Sequence, residues 1–419
     1  MILYLNNFRG FSETFIPLEE VNFLVGENST GKSTVLSVLE MLSKSAFWTS
    51  PQLSSGEYHL GPFNEIVNQF SSDRSYFQIG AEFLASNSFE VGSELSVYRV
   101  VETFKEREGS IILDSIKYLH GGYTYFCSKI GERKVVVSRT KKTYSSFQKW
   151  VFAEKPIREK EIENGMFYYM WLPSLMKIIS DSFHSEEKNY QYFFPPMLAN
   201  MVIMSPMRAE AHRIYESFSQ SFSPQGEHVP VLLNKLMHSN SPDNKAIIKK
   251  LCEFGKNSDL FDSIATPRFG SSSDSPFSVS VQYDDVKVNL ANVGYGVTQS
   301  LPLVVEILKS SDCSFSIQQP EVHLHPKAQA AFGEVIYNSV LNNRNNFFCE
   351  THSDFIINRF RYAMHKGDKS IKSQVLFFTR DNKGTHVVPI PIDDEGHYKN
   401  VPEGFSRFFI DEELRMLEF

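Results

Sequence analysis

VGENSTGKST, Val25 to Thr34, carries the spacing G-x-x-x-x-G-K-[ST] from Gly26 to Ser33, and its flanks decide the fold. Before it stands a short apolar run, Val21 to Val25. After it Val35, Leu36, Val38, Leu39 and Met41 recur at helical spacing. A strand, a glycine-rich turn and a helix in that order make a phosphate-binding loop. Backbone N–H groups of such a loop surround phosphate oxygens, and the helix amino terminus adds positive potential. Lys32 can reach the β and γ phosphates and Ser33 can ligate Mg²⁺, so ATP and Mg²⁺ are the expected ligands.

Outward from the loop, Ile2 to Leu5 reads as a strand, and from about Ser75 to Ser138 the runs FQIGAEF, LSVYRVV, SIILDSI, YTYFCS and KVVVS predict a β-rich lobe. Residues 141 to 200 are charged and aromatic, with one helical pattern in MWLPSLMKIISDSF and no apolar run long enough for a long coiled coil. Helical spacing returns from Val229 to Phe261. The strands SVSVQY and VKVNL, a helix over Val297 to Leu308, the strand SFSI, the helix KAQAAFGEVIYNSVL and the strand FFCE then alternate to a β-containing tail. The expected fold is α/β, with a mixed-sheet core from 1–74 and 277–419, the β-rich lobe at 75–140 and a short helical insertion at 141–276.

Composition limits the partners. A net charge of -7 and a pI near 6.0 argue against a general basic field for coating DNA, so any nucleic-acid contact is local. Cys127, Cys252, Cys313 and Cys349 form no CxxC pair or metal spacing and read as reduced thiols. No segment approaches the ~18 uninterrupted apolar residues of a membrane span. A cytoplasmic protein is expected.

Three further motifs follow the loop. VGYGVTQS, Val293 to Ser300, is a glycine-rich turn opening a helix; IQQPEVHLHP, Ile317 to Pro326, closes an apolar strand; ETHSD, Glu350 to Asp354, closes another. With LNNFRGF ahead of the loop, this order resembles the RecF-like and SMC-like ABC ATPases, whose head the fold is then expected to share. The resemblance implies nucleotide contacts at Arg9, Asn28, Ser29, Thr30, Gly31, Lys32, Ser33 and Thr34. It also implies that Gly294, Gly296 and Thr298 meet the γ phosphate held by a second copy, which makes a homodimer or higher homo-oligomer part of the site. His352 becomes the switch histidine that touches the γ phosphate, and Ser33 and Gln318 the magnesium ligands.

QQPE is where the resemblance is strained. These ATPases end this strand in two acids, one near Mg²⁺ and one beside the attacking water. Here Gln318 and Gln319 stand in those places, and an amide cannot take a proton. Glu321 is the nearest carboxylate, serving either the water or the subunit contact. Slow hydrolysis is expected, with Glu321, Gln319 and His352 as the catalytic set.

The closing stretch VPEGFSRFFIDEELRMLEF and SPMRAEAHRIY, Ser205 to Tyr215, resemble the overcoming-lysogenisation branch of bacterial anti-phage ATPases, including the PtuA and AriA types. That resemblance implies a nuclease or toxin partner in trans. Three alternatives stand beside it: a DNA-binding clamp in repair, a metal pair at His323 and His325, and a nuclease using Ile392 to Glu395, IDDE.

Overall fold

The computed structural model describes residues 1–49, 53, 60–86, 95–120, 122–130, 134–155, 160–163, 196–216, 218, 221–367, 369–405 and 408–409. The helix read in MWLPSLMKIISDSF lies outside them.

The strands are β1 Ile2–Asn6, β2 Thr14–Pro17, β3 Val21–Gly26, β4 Tyr76–Ser86, β5 Leu95–Arg107, β6 Ser110–His120, β7 Tyr123–Ile130, β8 Lys134–Thr140, β9 Lys160–Glu163, β10 Met201–Met204, β11 Ser263–Ala265, β12 Ser280–Tyr283, β13 Val286–Asn289, β14 Ser314–Gln318, β15 Asn346–Glu350, β16 Ser373–Asp381 and β17 Gly384–Ile392. The helices are α1 Lys32–Leu42, α2 Ser45–Thr49, α3 Phe63–Ile66, α4 Phe147–Val151, α5 Val229–Met237, α6 Pro242–Asn257, α7 Tyr295–Lys309, α8 Pro326–Asn343 and α9 Asp354–Lys366. The fold is mixed α/β, as the alternating pattern predicts. The helical spacing over 229–261 resolves into two helices, because Pro242 at the first turn of α6 starts a new helix.

The chain divides into two compact units, Met1–Leu18 with Glu27–Ala199 and Phe378–Pro389, and Glu19–Gly26 with Asn200–Phe377 and Ile390–Phe419. In the first, an eight-stranded sheet runs β2-β1-β4-β5-β6-β7-β8-β9. The β-rich segment therefore continues the sheet begun by β1 and β2. Tyr4, Gly80, Val101 and Lys117 stand in register on one face. Tyr4 and Val101 pack there with Phe147 and Trp150 of α4, and a fully buried large apolar side chain contributes roughly 1.5–3 kcal/mol. Lys117 closes the end of α4, donating from Nζ to the carbonyls of Trp150, Val151 (3.0 Å) and Ala153 (2.9 Å). Burial lowers its pKa to about 8.

The second unit is built on β10, β14, β15 and β3, which are parallel neighbours in a six-stranded sheet of order β10-β14-β15-β3-β16-β17. β3 is buried along its whole length and β14 over its first four residues, as expected of parallel strands covered on both faces. Phe23 meets Phe360 of α9 edge-on at 5.3 Å, and Phe315 stacks on Phe347 at 5.2 Å. Parallel strands end at one edge, so the segments after β10, β14, β15 and β3 all leave the sheet from the same side. A three-stranded sheet, β11-β12-β13, leads into α7. No helix among the described residues is long and apolar enough to cross a membrane.

Candidate functional site

The phosphate loop holds itself in a left-handed path. Gly26, Ser29 and Gly31 have φ of 151°, 61° and 97°. Gly31 is required twice over, since a Cβ there would lie 2.7 Å from the Phe11 ring. Thr30 donates from Oγ1 to the Glu27 carbonyl at 2.7 Å, and Lys32, nearly buried, donates from Nζ to the same carbonyl at 2.8 Å. Asn28, Ser29 and Ser33 are exposed. The first turn of α1 carries no acidic residue to compete with a phosphate. Arg9, at φ 49°, donates from Nη1 to Thr34 Oγ1 and from Nη2 to the Leu60 carbonyl, both at 2.9 Å. Burial lowers its pKa, against the pull of Glu65.

In the second unit, the glycine-rich turn opens α7 two residues earlier than its apolar spacing predicts. Gly294 is exposed, at φ -62°, with open space where a side chain would stand. Gly296 is crowded: a Cβ would come within 3.1 Å of the His323 carbonyl. Thr298 donates to the Tyr295 carbonyl at 3.1 Å, and the exposed Tyr295 ring lies 5.4 Å from that of His323.

Gln318 ends β14, and Gln319 turns the chain at φ 44°, donating its N–H to the Glu350 carbonyl at 2.8 Å. Glu321 is then committed to the switch segment. Its Oε1 accepts from the His352 N–H at 2.6 Å and its Oε2 from Thr351 Oγ1 at 2.8 Å. Burial raises the Glu321 pKa, while these bonds and the charge of Arg208 pull it back. Ser353 caps α9 by accepting from the Ile356 N–H at 3.3 Å, fixing the other end of the switch. His352 is partly exposed, its ring 6.4 Å from Phe408.

Two acid-and-cation positions escaped the sequence pattern. Glu350, buried at the end of β15, stands in register with Gln318, so the two side chains leave adjacent strands on one face. Arg208 follows β10 and is 6% exposed; its backbone N–H donates to Gln299 Oε1 of α7 at 3.3 Å, and its Nη2 reaches the Gln318 carbonyl at 3.5 Å. Strand register and a contact between residues 110 apart leave no local signature.

The metal-pair alternative loses its strand. His323 sits in a turn at φ 64°, and His325 caps α8 by accepting at Nδ1 from the Ala328 N–H. No cluster of three metal-ligating side chains occurs among the described residues. IDDE is a turn in which Asp393 Oδ1 accepts from the N–H groups of Glu395 and His397.

A family model described as an AAA ATPase domain matches residues 1–194 and 172–357. The chain belongs to that family. No curated protein matches it. Among solved structures it is similar to an SMC head bound to the C-winged helix domain of ScpA, at 11% identity over 93% of this chain and 97% of that one with a TM-score of 0.42. The SMC head domain from Thermotoga maritima matches at 12% identity, 93% and 98% coverage and a TM-score of 0.37. A RecF structure, RecF-ATPrS of the RecFOR pathway, matches at 9% identity, 92% and 97% coverage and a TM-score of 0.34.

Proposed function

We propose that the chain is an ATP-holding, slowly hydrolysing ATPase subunit of the RecF-like and SMC-like type. The observation that carries this reading is the loop itself: positive φ at Gly26, Ser29 and Gly31, a buried Lys32 whose Nζ stays within the loop, and a first helical turn without acids. Such a loop suits a polyphosphate. Lys32 supplies the cation, the loop residues Asn28 to Thr34 and Arg9 the nucleotide contacts, and Ser33 and Gln318 the magnesium ligands. Bound Mg²⁺ neutralises phosphate charge.

The turn after β14 supports slow hydrolysis. Gln318 and Gln319 offer no carboxylate, and the two oxygens of Glu321 are engaged by Thr351 and His352. Glu321 thereby ties the QQPE turn to the switch and sets the position of His352. Glu350 is the carboxylate nearest in register to Gln318. The exposed Gly294 turn is the surface offered to a second copy's nucleotide, giving an ATP-bridged homo-oligomer. Within this reading the core, lobe and insertion keep the boundaries given above. The protein acts in the cytoplasm in anti-phage defence, restraining a nuclease or toxin subunit in trans, a role supported by SPMRAEAHRIY and the closing stretch.

The test is Lys32→Ala. Removing the only cation of the GENSTGKS loop is expected to weaken ATP binding about 10-fold or more, by the scale of hydrogen bonds to charged groups. Equal affinity in titrations of both proteins would overturn the assignment.

A further inference from the structure

The eight-stranded sheet of the first unit carries a cleft on the face that holds α4. Phe47 of α2 and Phe63 of α3 pack on the reverse face, against Phe104 and Phe77. The cleft has a volume of about 470 Å³, within the range of small-molecule sites. Its floor is a polar row on the same face as Tyr4 and Lys117, in which Asn6, Gln78, Thr103, Ser115 and Ser128 stand in register on neighbouring strands.

One half of the row is satisfied internally. Asn6 Nδ2 donates to Gln78 Oε1 at 2.9 Å, and Gln78 Nε2 to Thr103 Oγ1 at 3.1 Å. The other half ends in hydroxyls with a proton to give. Thr103 Oγ1 accepts from Gln78, Ser128 Oγ accepts from Lys155 Nζ at 3.3 Å, and the Ser115 hydroxyl between them has no partner among the described residues.

Charge points the same way. Lys117 follows Ser115 on the same face of β6, and its donors all go to neutral carbonyls at the end of α4. No carboxylate pairs with it among the described residues, and burial lowers its pKa without an acid to oppose the fall. Of the acids at the cleft, Asp114 is paired with Lys105 at 3.0 Å and Glu13 is exposed. A half-buried cation without a counter-charge, next to hydroxyls with protons to donate, suits an oxyanion. Val101, Phe126, Val151 and Phe152 supply apolar surface beside it.

We propose that this cleft is a binding site for a small organic anion, whose oxyanion group is received by Ser115 between Thr103 and Ser128, within the field of Lys117 and Lys155, and whose apolar body lies against Val151 and Phe152. Hydroxyl donors accept carboxylate and phosphate alike, whereas a neutral ligand leaves Lys117 without a counter-charge. The site shares no residue with the phosphate loop and does not depend on the nucleotide reading.

The experiment is a calorimetric titration of the full chain with naphthoate, naphthyl phosphate and the neutral naphthamide, using the unmutated protein, Ser115→Asp, Lys117→Met and Lys32→Ala. At least one of the two anions is expected to bind the unmutated protein about tenfold or more tighter than the amide, the scale of hydrogen bonds to a charged group, and which of them does so separates a carboxylate from a phosphate ligand. Ser115→Asp puts a negative charge where the anion sits and is expected to lose that binding with an unchanged Tm. Lys117→Met is expected to bind anion and amide equally; if releasing the end of α4 unfolds it, Ser115→Asp carries the test. Lys32→Ala is expected to bind the anions as the unmutated protein does, and a loss there would place the probe in the phosphate loop and overturn the proposal. Absence of anion binding, equal affinity for anions and amide in the unmutated protein, or undiminished anion binding by Ser115→Asp would also overturn it.

Discussion

The loop from Glu27 to Thr34 and the turn from Gln318 to Glu321 are equipped differently. In the loop, φ is positive at Gly26, Ser29 and Gly31, Thr30 and Lys32 both donate to the Glu27 carbonyl, and a Cβ at Gly31 would lie 2.7 Å from the Phe11 ring. In the turn, the two positions that should carry acids carry amides, and the one acid present is bonded to Thr351 and His352. Binding needs only preorganised donors, whereas hydrolysis needs a group that accepts a proton from water. On the function proposed above, the difference between the regions is one between holding and turning over.

Restoring the acid is the strongest way to break that contrast. Gln318→Glu is expected to raise steady-state turnover by about 10² to 10³, the range associated with a charge-stabilising group in an active site. An unchanged rate would mean that Glu350, its neighbour in register, already supplies the charge.

A second test sharpens the contrast from the side of the partner copy. Gly294 has an ordinary φ and open space around it, so Gly294→Glu leaves the fold intact. It places a negative charge where a second copy's phosphate is expected. ATP-dependent association, followed by sedimentation, is predicted to weaken about 100-fold, since like charges brought together across an interface cost several kcal/mol. Undiminished association with ATP would remove the bridged-oligomer model.

The smallest effect concerns a buried acid with no part in the chemistry. Glu102 lies in an apolar row with Ile79, Ile116, Cys127 and Val137, and neither carboxylate oxygen has a partner among the described residues. Burial raises its pKa well above the ordinary 4.5. Glu321, also raised, is drawn back by bonds that Glu102 lacks. The folded protein keeps the Glu102 proton after the unfolded chain has released it. Stability contributed below pH 4.5 is therefore lost as pH rises towards the folded pKa, at up to about 1.4 kcal/mol per pH unit. Glu102→Gln should flatten that slope in denaturant melts between pH 5 and pH 8, with little change at the acidic end. An identical slope in both proteins would show that Glu102 is ionised in the fold.

Much of the fold was legible because its signals are local. The apolar run before Gly26 became β3, the spacing from Val35 to Met41 became α1, and SFSI and FFCE became β14 and β15. Two readings shifted at glycine and proline: the helical spacing over 229–261 divides before Pro242, and α7 begins at Tyr295, ahead of its first buried apolar residue. The site was only partly legible. GENSTGKS and the amides of QQPE can be read from residue types, whereas the bond between Glu321 and the switch joins residues 31 apart.

Sequence by itself determined which residues are chemically able to act: Lys32 and Ser33 at loop spacing, glycines where φ must be positive, and glutamines that cannot take a proton. Periodicity and side-chain chemistry act within a few residues, and they survive in a list of letters. Tertiary structure alone decided which of these groups meet. It set Glu350 beside Gln318 through strand register, brought Arg208 to the Gln318 carbonyl, and left the Glu102 carboxylate without a hydrogen-bond partner among the described residues. Those outcomes depend on how parallel strands align and on which groups packing removes from water, and neither is written in the spacing of any one segment.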